Sequence, residues 1–269
     1  MRMNQFSQAK KLFMDDFDLK DYLDSFTFEM AKKELLKTLN AHEVPMTFIL
    51  GDPGVGKSFL LHFIQDRADK IKVAKFFPNP HFNERELLEV LLEQTGETVV
   101  HQSQSIDSLI SNLKQHYKDL EYTVFIDEAQ LLTEKQLEFM RVLSDMKMFQ
   151  FVLAMHKKEG QYVLLKPHFK SRSNKTIVME NLIQEEVTRY IQNRLLSQNL
   201  SHVAFEFGKK EISFIYKKSN GNFRTIKKLL KSVCEIVEIG QKAKLTNFMK
   251  VNEATLTMAA IDIGLIDVK

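Results

Sequence analysis

The chain has 269 residues, 44% hydrophobic and 27% charged, with a formal net charge of +3. That suffices for one sizeable core, or a core with a smaller lobe, and the lack of Pro-, Ser- or Gln-rich tracts excludes extended disorder away from the ends. A single cysteine, Cys234, excludes an internal disulfide, and no stretch approaches the roughly 18–20 apolar residues of a membrane span.

Residues 1–25 read as an N-terminal extension, either a partner-binding helix or a frayed segment. Their start, MRMNQFSQAKKLFMDDFD, lacks the apolar stretch of a signal peptide. A reducing cytoplasm is therefore the expected compartment, with peripheral attachment at the inner membrane left open. From residue 26 to 181, short apolar runs alternate with helix-period segments. TFIL (47–50), IKVAKFF (71–77), YTVFI (122–126), FQFVLAM (149–155) and KTIVM (175–179) read as strands. Helical patterns lie near 57–69, 83–95, 105–119 and 134–146. This alternation predicts βαβ units in a parallel sheet covered on both faces. After 181 the pattern is helical to the end: Ile183, Val187, Ile191 and Leu195 share one face. Residues 182–269 are thus read as a helical lid. They carry 14 Lys and Arg against 9 Asp and Glu, a basic balance that suits DNA, acidic lipid or nucleotide phosphate, or simply a solvated face. Cys234, inside LLKSVCEIVEI, reads as a small core residue.

Three of the nine glycines fall inside GDPGVGKS, residues 51–58, directly after the first strand and before a helix. This is the G-x-x-x-x-G-K-[ST] phosphate loop in the context that supports it. Glycines let backbone N–H groups approach phosphates, and the helix N-terminus adds a favourable dipole. Gly51, Asp52, Pro53, Gly54, Val55, Gly56, Lys57, Ser58 and Phe59 form the expected ATP-binding set. Lys57 would reach the β- and γ-phosphates, and the Ser58 hydroxyl would meet Mg²⁺.

YTVFIDEAQ ends a strand on two acids. Asp127 is the expected metal-side carboxylate, and Glu128 the expected catalytic base for the attacking water. The other reading of this pair is a helix N-cap. His156, ending FQFVLAMH, is either a γ-phosphate sensor or a surface histidine. Arg172, in SRSNKTIVM, suits a cation facing the phosphates of an adjacent subunit or a plain surface arginine. Arg224, in SNGNFRTIKKLL, suits a lid residue that senses ATP against ADP, or part of a basic helix face with Lys227, Lys228 and Lys231. Arg141 reads as a helix-surface residue.

GDPGVGKS, FIDEAQ, SRSN and GNFR, in this order, resemble the AAA+ ATPases. PNPHFNERELLEVLLEQTG, LEFMRVLSDM and KSNGNFRTIKKLLKSVCEI narrow the resemblance to the ExeA/GspA-type branch, with its MshM-type pilus and TniB-type transposition relatives. The resemblance spans about 45 to 260. It implies a P-loop αβα sandwich with a five-stranded parallel sheet, a C-terminal helical lid, and ATP-dependent rings or filaments. It puts Arg224 at a lid-sensor position and Arg172 at that of a trans-acting arginine. It puts His156 where relatives carry a polar sensor, although Met155-His156-Lys157 stands where they read Gly-Gln-Pro. The membrane span and peptidoglycan-binding region of full-length ExeA-like proteins are absent from the sequence. The expected activity is hydrolysis of ATP to ADP and phosphate, energising a type II secretion, type IV pilus or DNA-uptake machine. The expected partners are protein components of that machine. The alternatives are a TniB-like ATPase bound to duplex DNA and a nucleotide-gated adaptor with little turnover.

Overall fold

Met46–Gly51 (β1), Lys72–Phe77 (β2), Tyr122–Ile126 (β3), Phe149–His156 (β4) and Asn174–Met179 (β5) pair as one parallel sheet in the order β2-β3-β4-β1-β5. The structure is a computed structural model and describes residues 5–14, 24–95, 104–170 and 174–267. The three inner strands are almost wholly buried, which is why they read as continuous apolar runs. The edge strands are less buried, and place Lys72, Lys75 and Lys175 where a bare edge would otherwise invite pairing.

The first helix, α1 (Gln5–Leu12), belongs to the helical unit described below. In the sheet unit, α2 (Phe26–Ala41) and α3 (Lys57–Arg67) cover one face. Phe28, Ala31, Leu35 and Leu39 of α2 and Leu60, Leu61 and Ile64 of α3 pack on Ile49, Phe125, Val152 and Ile177. On the other face lie α4 (Glu84–Glu93), α5 (Ile106–His116), α6 (Glu134–Asp145), α7 (Lys157–Leu165) and the short α8 (Pro167–Lys170). Their apolar residues pack on Phe48, Leu50, Val124, Ile126, Phe151 and Leu153. Neighbouring strand residues thus feed opposite layers, as the period of two requires.

Local signals set the helix starts. Asn83 and Glu86 form a reciprocal capping box at α4, Thr133 and Gln136 do the same at α6, and the Ser105 hydroxyl accepts from the Ser108 N–H at α5. The five parallel strands, the two helical layers and the absence of strands after β5 among the described residues agree with the sequence expectation of a P-loop αβα sandwich. Helices α1, α2, α7 and α8 are additions to that expectation. In α2 the buried positions 28, 31, 35 and 39 fall on one helical face.

The chain divides into two compact units, Phe26–Glu180 and a helical unit joining Met1–Ser25 to Asn181–Lys269. The helical unit holds α9 (Gln184–Leu196), α10 (Ser201–Glu206), α11 (Lys209–Ser219), α12 (Phe223–Ala243) and α13 (Glu253–Asp262). Phe6, Ala9 and Phe13 are buried in the same apolar cluster as Tyr190, Leu230, Val233 and Val237. Lys10 Nζ lies 3.2 Å from Glu238 Oε2 and 3.6 Å from Glu235 Oε1 on α12. The described part of the N-terminal segment is therefore core to this unit, neither frayed nor separate from it. Cys234 is fully buried, and burial pushes its thiol well above the usual range, so it is an inert core residue. Among the described residues no helix is long and apolar enough to cross a membrane.

The packing of α1 makes a prediction. Phe13 is 1% exposed and meets Tyr190 edge-on at 6.2 Å. Phe13→Ala should destabilise the helical unit by about 3–5 kcal/mol, the usual cost of emptying a buried phenylalanine site. Urea unfolding of the full chain, followed by circular dichroism, measures it. Unchanged unfolding would mean that α1 is dispensable to this core.

Candidate nucleotide site

The carboxyl ends of β1, β3 and β4 come together on one edge of the sheet, where open α/β folds bind ligands. Chain register sets the level: Gly51 at the end of β1 pairs with His156 of β4 on one side and Met179 of β5 on the other. From Gly51 the chain turns through Asp52–Gly56 into α3. Gly54 and Gly56 have φ of 85° and 104°, a region that side-chain-bearing residues avoid. Gly51 needs its glycine for a different reason. A Cβ there would stand 2.7 Å from the Met179 carbonyl oxygen and 2.7 Å from Val55 Cγ2.

Lys57 opens α3 and is buried. Its ammonium donates to the carbonyl oxygens of Gly51 (2.9 Å) and Asp52 (3.1 Å), so it lies along the inside of the loop. Ser58 follows, close enough to the Asp127 carboxylate for its hydroxyl to favour the charged form. Phe59 turns into an aromatic cluster, its ring 5.6 Å from Phe28 and 6.3 Å from Phe63. Its side chain therefore serves the core, and only its backbone remains for the loop's work.

Asp127 continues the β2–β3 ladder, its N–H donating to the Phe77 carbonyl at 2.9 Å. The residue is 5% exposed. Burial raises its pKa above the usual carboxylate range, against the opposing pull of the Ser58 hydroxyl, the Glu128 N–H and the Lys57 charge. Glu128 takes the left-handed conformation, with φ 50°. Its N–H donates to Asp127 Oδ1 at 2.9 Å, and its carboxylate remains 41% exposed. The Gln130 side-chain amide donates to Glu128 Oε2. His156 Nε2 lies 3.9 Å from the same oxygen, and the His156 N–H donates to Gln130 Oε1 at 3.3 Å.

The structure thus brings Lys57, Ser58, Asp127, Glu128 and His156 to one edge, as the sequence reading expects. Of the other expected residues, Arg172 lies outside the described residues. Arg224 is exposed in the first turn of α12, in the helical unit, just after Asn222 caps that helix. Arg141 is mostly covered and held by Glu138 at 2.8 Å and Asp145 at 2.9 Å within its own helix. It is spoken for structurally. Two residues escape the sequence reading. One is Gln130, visible only as the last letter of DEAQ. The other is His62, one helical turn past Ser58, whose ring lies 4.3 Å from Phe76. Burial lowers the His62 pKa, and the Asp127 charge opposes that.

Ser58 and Asp127 are hard oxygen donors that face one another at the foot of the loop. That suits Mg²⁺, which takes one or two protein ligands and fills the rest of its shell with phosphate and water. The loop, the cation and the two acids together suit a nucleoside triphosphate.

Residues 41–162 match the AAA domain family. The match runs from the end of α2 into α7 and takes in the phosphate loop, both acids, Gln130 and His156. No curated protein matches the sequence at a comparable level of significance. Solved structures similar in fold include the Aeropyrum pernix ORC2 protein in ADPNP–ADP complexes, at 15% identity and TM-score 0.58, covering 96% of this chain and 72% of that one. Drosophila ORC bound to DNA is similar at 12% identity and TM-score 0.65, covering 97% and 66%. The Walker-type ATPase of Pyrococcus abyssi is similar at 16% identity and TM-score 0.59, covering 94% and 77%. The chain therefore spans about two thirds to three quarters of these neighbours. At such identities they show the fold, that of AAA+ P-loop ATPases. The AAA domain match supports an ATPase.

Burial of Asp127 has a consequence for stability. A carboxyl whose folded-state pKa is raised binds its proton more readily folded than unfolded, so stability falls as pH rises through that range and stays low above it. Asp127→Asn removes the buried charge. The variant should melt at a higher temperature than the native protein at pH 7, with the gain shrinking as pH is lowered toward about 4. Thermal melts across that range measure it, and a lower melting temperature at pH 7 would contradict a destabilising Asp127 charge.

Proposed function

We propose that this chain is a Mg²⁺-dependent AAA+ ATPase that converts ATP and water to ADP and phosphate. The observation that carries the reading is the buried Asp127 at the end of β3, next to the phosphate loop along whose inside Lys57 lies, with Glu128 set beside it on the solvent side. Backbone N–H groups of 51–58 and the α3 N-terminus cradle the phosphates. Lys57 leaves its backbone carbonyls for the β- and γ-phosphate oxygens. Ser58 and Asp127 would hold Mg²⁺, which would neutralise charge on the phosphate oxygens. Glu128 accepts the proton of the attacking water as its oxygen bonds to Pγ and the bond from Pγ to the bridging oxygen breaks. His156 reports on the γ-phosphate in this reading, which its pairing level with Gly51 supports.

In this reading Phe26–Glu180 is the ATPase core and the helical unit is its lid. Arg224 senses the bound nucleotide from the lid, and Arg172 acts on the site of an adjacent subunit in a ring or filament. The likeness of PNPHFNERELLEVLLEQTG and KSNGNFRTIKKLLKSVCEI to the ExeA/GspA-type branch supports a role beside a secretion, pilus or DNA-uptake machine. A second reading, an ATPase assembled on duplex DNA, is supported by the exposed cations Lys217, Lys218, Arg224, Lys228 and Lys231 around the α11–α12 turn. The DNA-bound state of the Drosophila neighbour gives it further support.

Steady-state turnover of the purified protein tests both. Glu128→Gln should lower kcat by about 10²–10⁴ while ATP binding persists, the range expected for loss of a general base. Unchanged turnover would remove Glu128 from that role. Turnover that rises with duplex DNA and fades between about 50 and 200 mM salt would favour the DNA-bound reading. Turnover indifferent to DNA favours a protein partner.

A further inference from the structure

Glu128 lies in the left-handed conformation on the solvent side of the site, where nothing in β3 fixes its carboxylate. One side chain ties it down. The Gln130 amide donates to Glu128 Oε2, and its carbonyl oxygen accepts the N–H of His156 at the end of β4. The direction of the amide is not free. A carboxylate can only accept and a backbone N–H can only donate, so the reversed amide would set oxygen against oxygen and N–H against N–H. The amide group thus joins the end of β3 to the end of β4, and the ring of His156 comes within 3.9 Å of the same carboxylate oxygen.

We propose that Gln130 is a positioning residue for ATP hydrolysis: its amide holds Glu128 in the orientation that accepts the water's proton and couples that orientation to the His156 end of β4. The proposal rests on Glu128 being the base. Gln130 touches neither phosphate nor water in this scheme, so it acts on the chemical step and not on nucleotide binding. A side chain that lacks the amide loses the tie, and a shorter amide weakens it. Gln130→Ala leaves the carboxylate free to rotate, and Gln130→Glu keeps the length but replaces the donor by a second carboxylate against Glu128.

The test is a double-mutant cycle on the full chain, with single-turnover hydrolysis and binding of a fluorescent ATP analogue measured for each protein. Gln130→Ala should lower the hydrolysis rate about tenfold or more, with analogue affinity and melting temperature unchanged. Gln130→Glu should lower it at least as far. Gln130→Asn, which keeps both the donor and the acceptor on a shorter arm, should retain more activity than either. Because Gln130 works only through Glu128, adding Gln130→Ala to Glu128→Gln should cost nothing further. A hydrolysis rate unchanged or raised by Gln130→Ala would overturn the proposal. So would an equal loss in analogue affinity, or additive losses in the double variant. If Glu128→Gln alone leaves hydrolysis intact, the reading of Glu128 as base fails first, and that result is separable from any behaviour of Gln130.

Discussion

The site depends on a carboxylate that the fold would be more stable without. Asp127 can sit at the end of β3 only because β3 is an inner strand, flanked by β2 and β4 and covered by helices on both faces. That cover strips water from the carboxylate and raises its pKa. The same loss of water strengthens its attraction for a cation, since charges interact more strongly where the dielectric is low. The Glu128 N–H holds the group without neutralising it. The arrangement costs stability in the protein alone and returns it when positive charge arrives, a trade common at functional sites.

Sheet order does the rest. From β1 the chain crosses to the far edge for β2 and returns through β3 and β4 before placing β5 on the other side of β1. The phosphate loop leaves β1, so the strand that carries the loop lies next to β4, with β3 beyond it. This is how residues 51, 127 and 156, far apart in sequence, reach one edge. The Gly51–His156 register is a backbone constraint, so His156 is held level with the loop whatever its side chain does. The strand pairing fixes the place, and the imidazole decides only the chemistry available there.

Much of this was legible because its signals are local. The glycine-rich run after the first strand announces a phosphate loop, the apolar runs announce buried strands, and the helix-period segments between them announce the covering helices. β3 falls on the expected residues, and β4 runs one residue further, to His156. What stayed hidden depends on distance through the chain. Gln130 acquires meaning only when the end of β4 is brought against it, and His62 only when α3 lies over β3. The docking of Phe6, Ala9 and Phe13 joins residues from distant parts of the sequence, such as Phe13 and Tyr190, and an eight-residue helix gives little periodicity from which to foresee it. α2 is a different case. Its apolar stripe was readable, and its position before the first strand, outside the strand–helix alternation, drew no attention to it.

Glu128 is the residue where these constraints meet. Asp127 and Glu128 are adjacent, and an ordinary extended backbone would send their side chains to opposite faces of the sheet. The left-handed turn at Glu128 interrupts that alternation at a strain cost of about 1–2 kcal/mol, and its N–H bends back to Asp127 Oδ1. Two neighbouring carboxylates thereby acquire different surroundings. One is buried with Ser58 and Lys57 and suited to a cation. The other keeps contact with solvent, where a water can reach it, and would be free to swing but for Gln130 and His156. Chemically identical groups take on different tasks when their environments are pushed apart in this way. In this chain a single strained residue creates the difference.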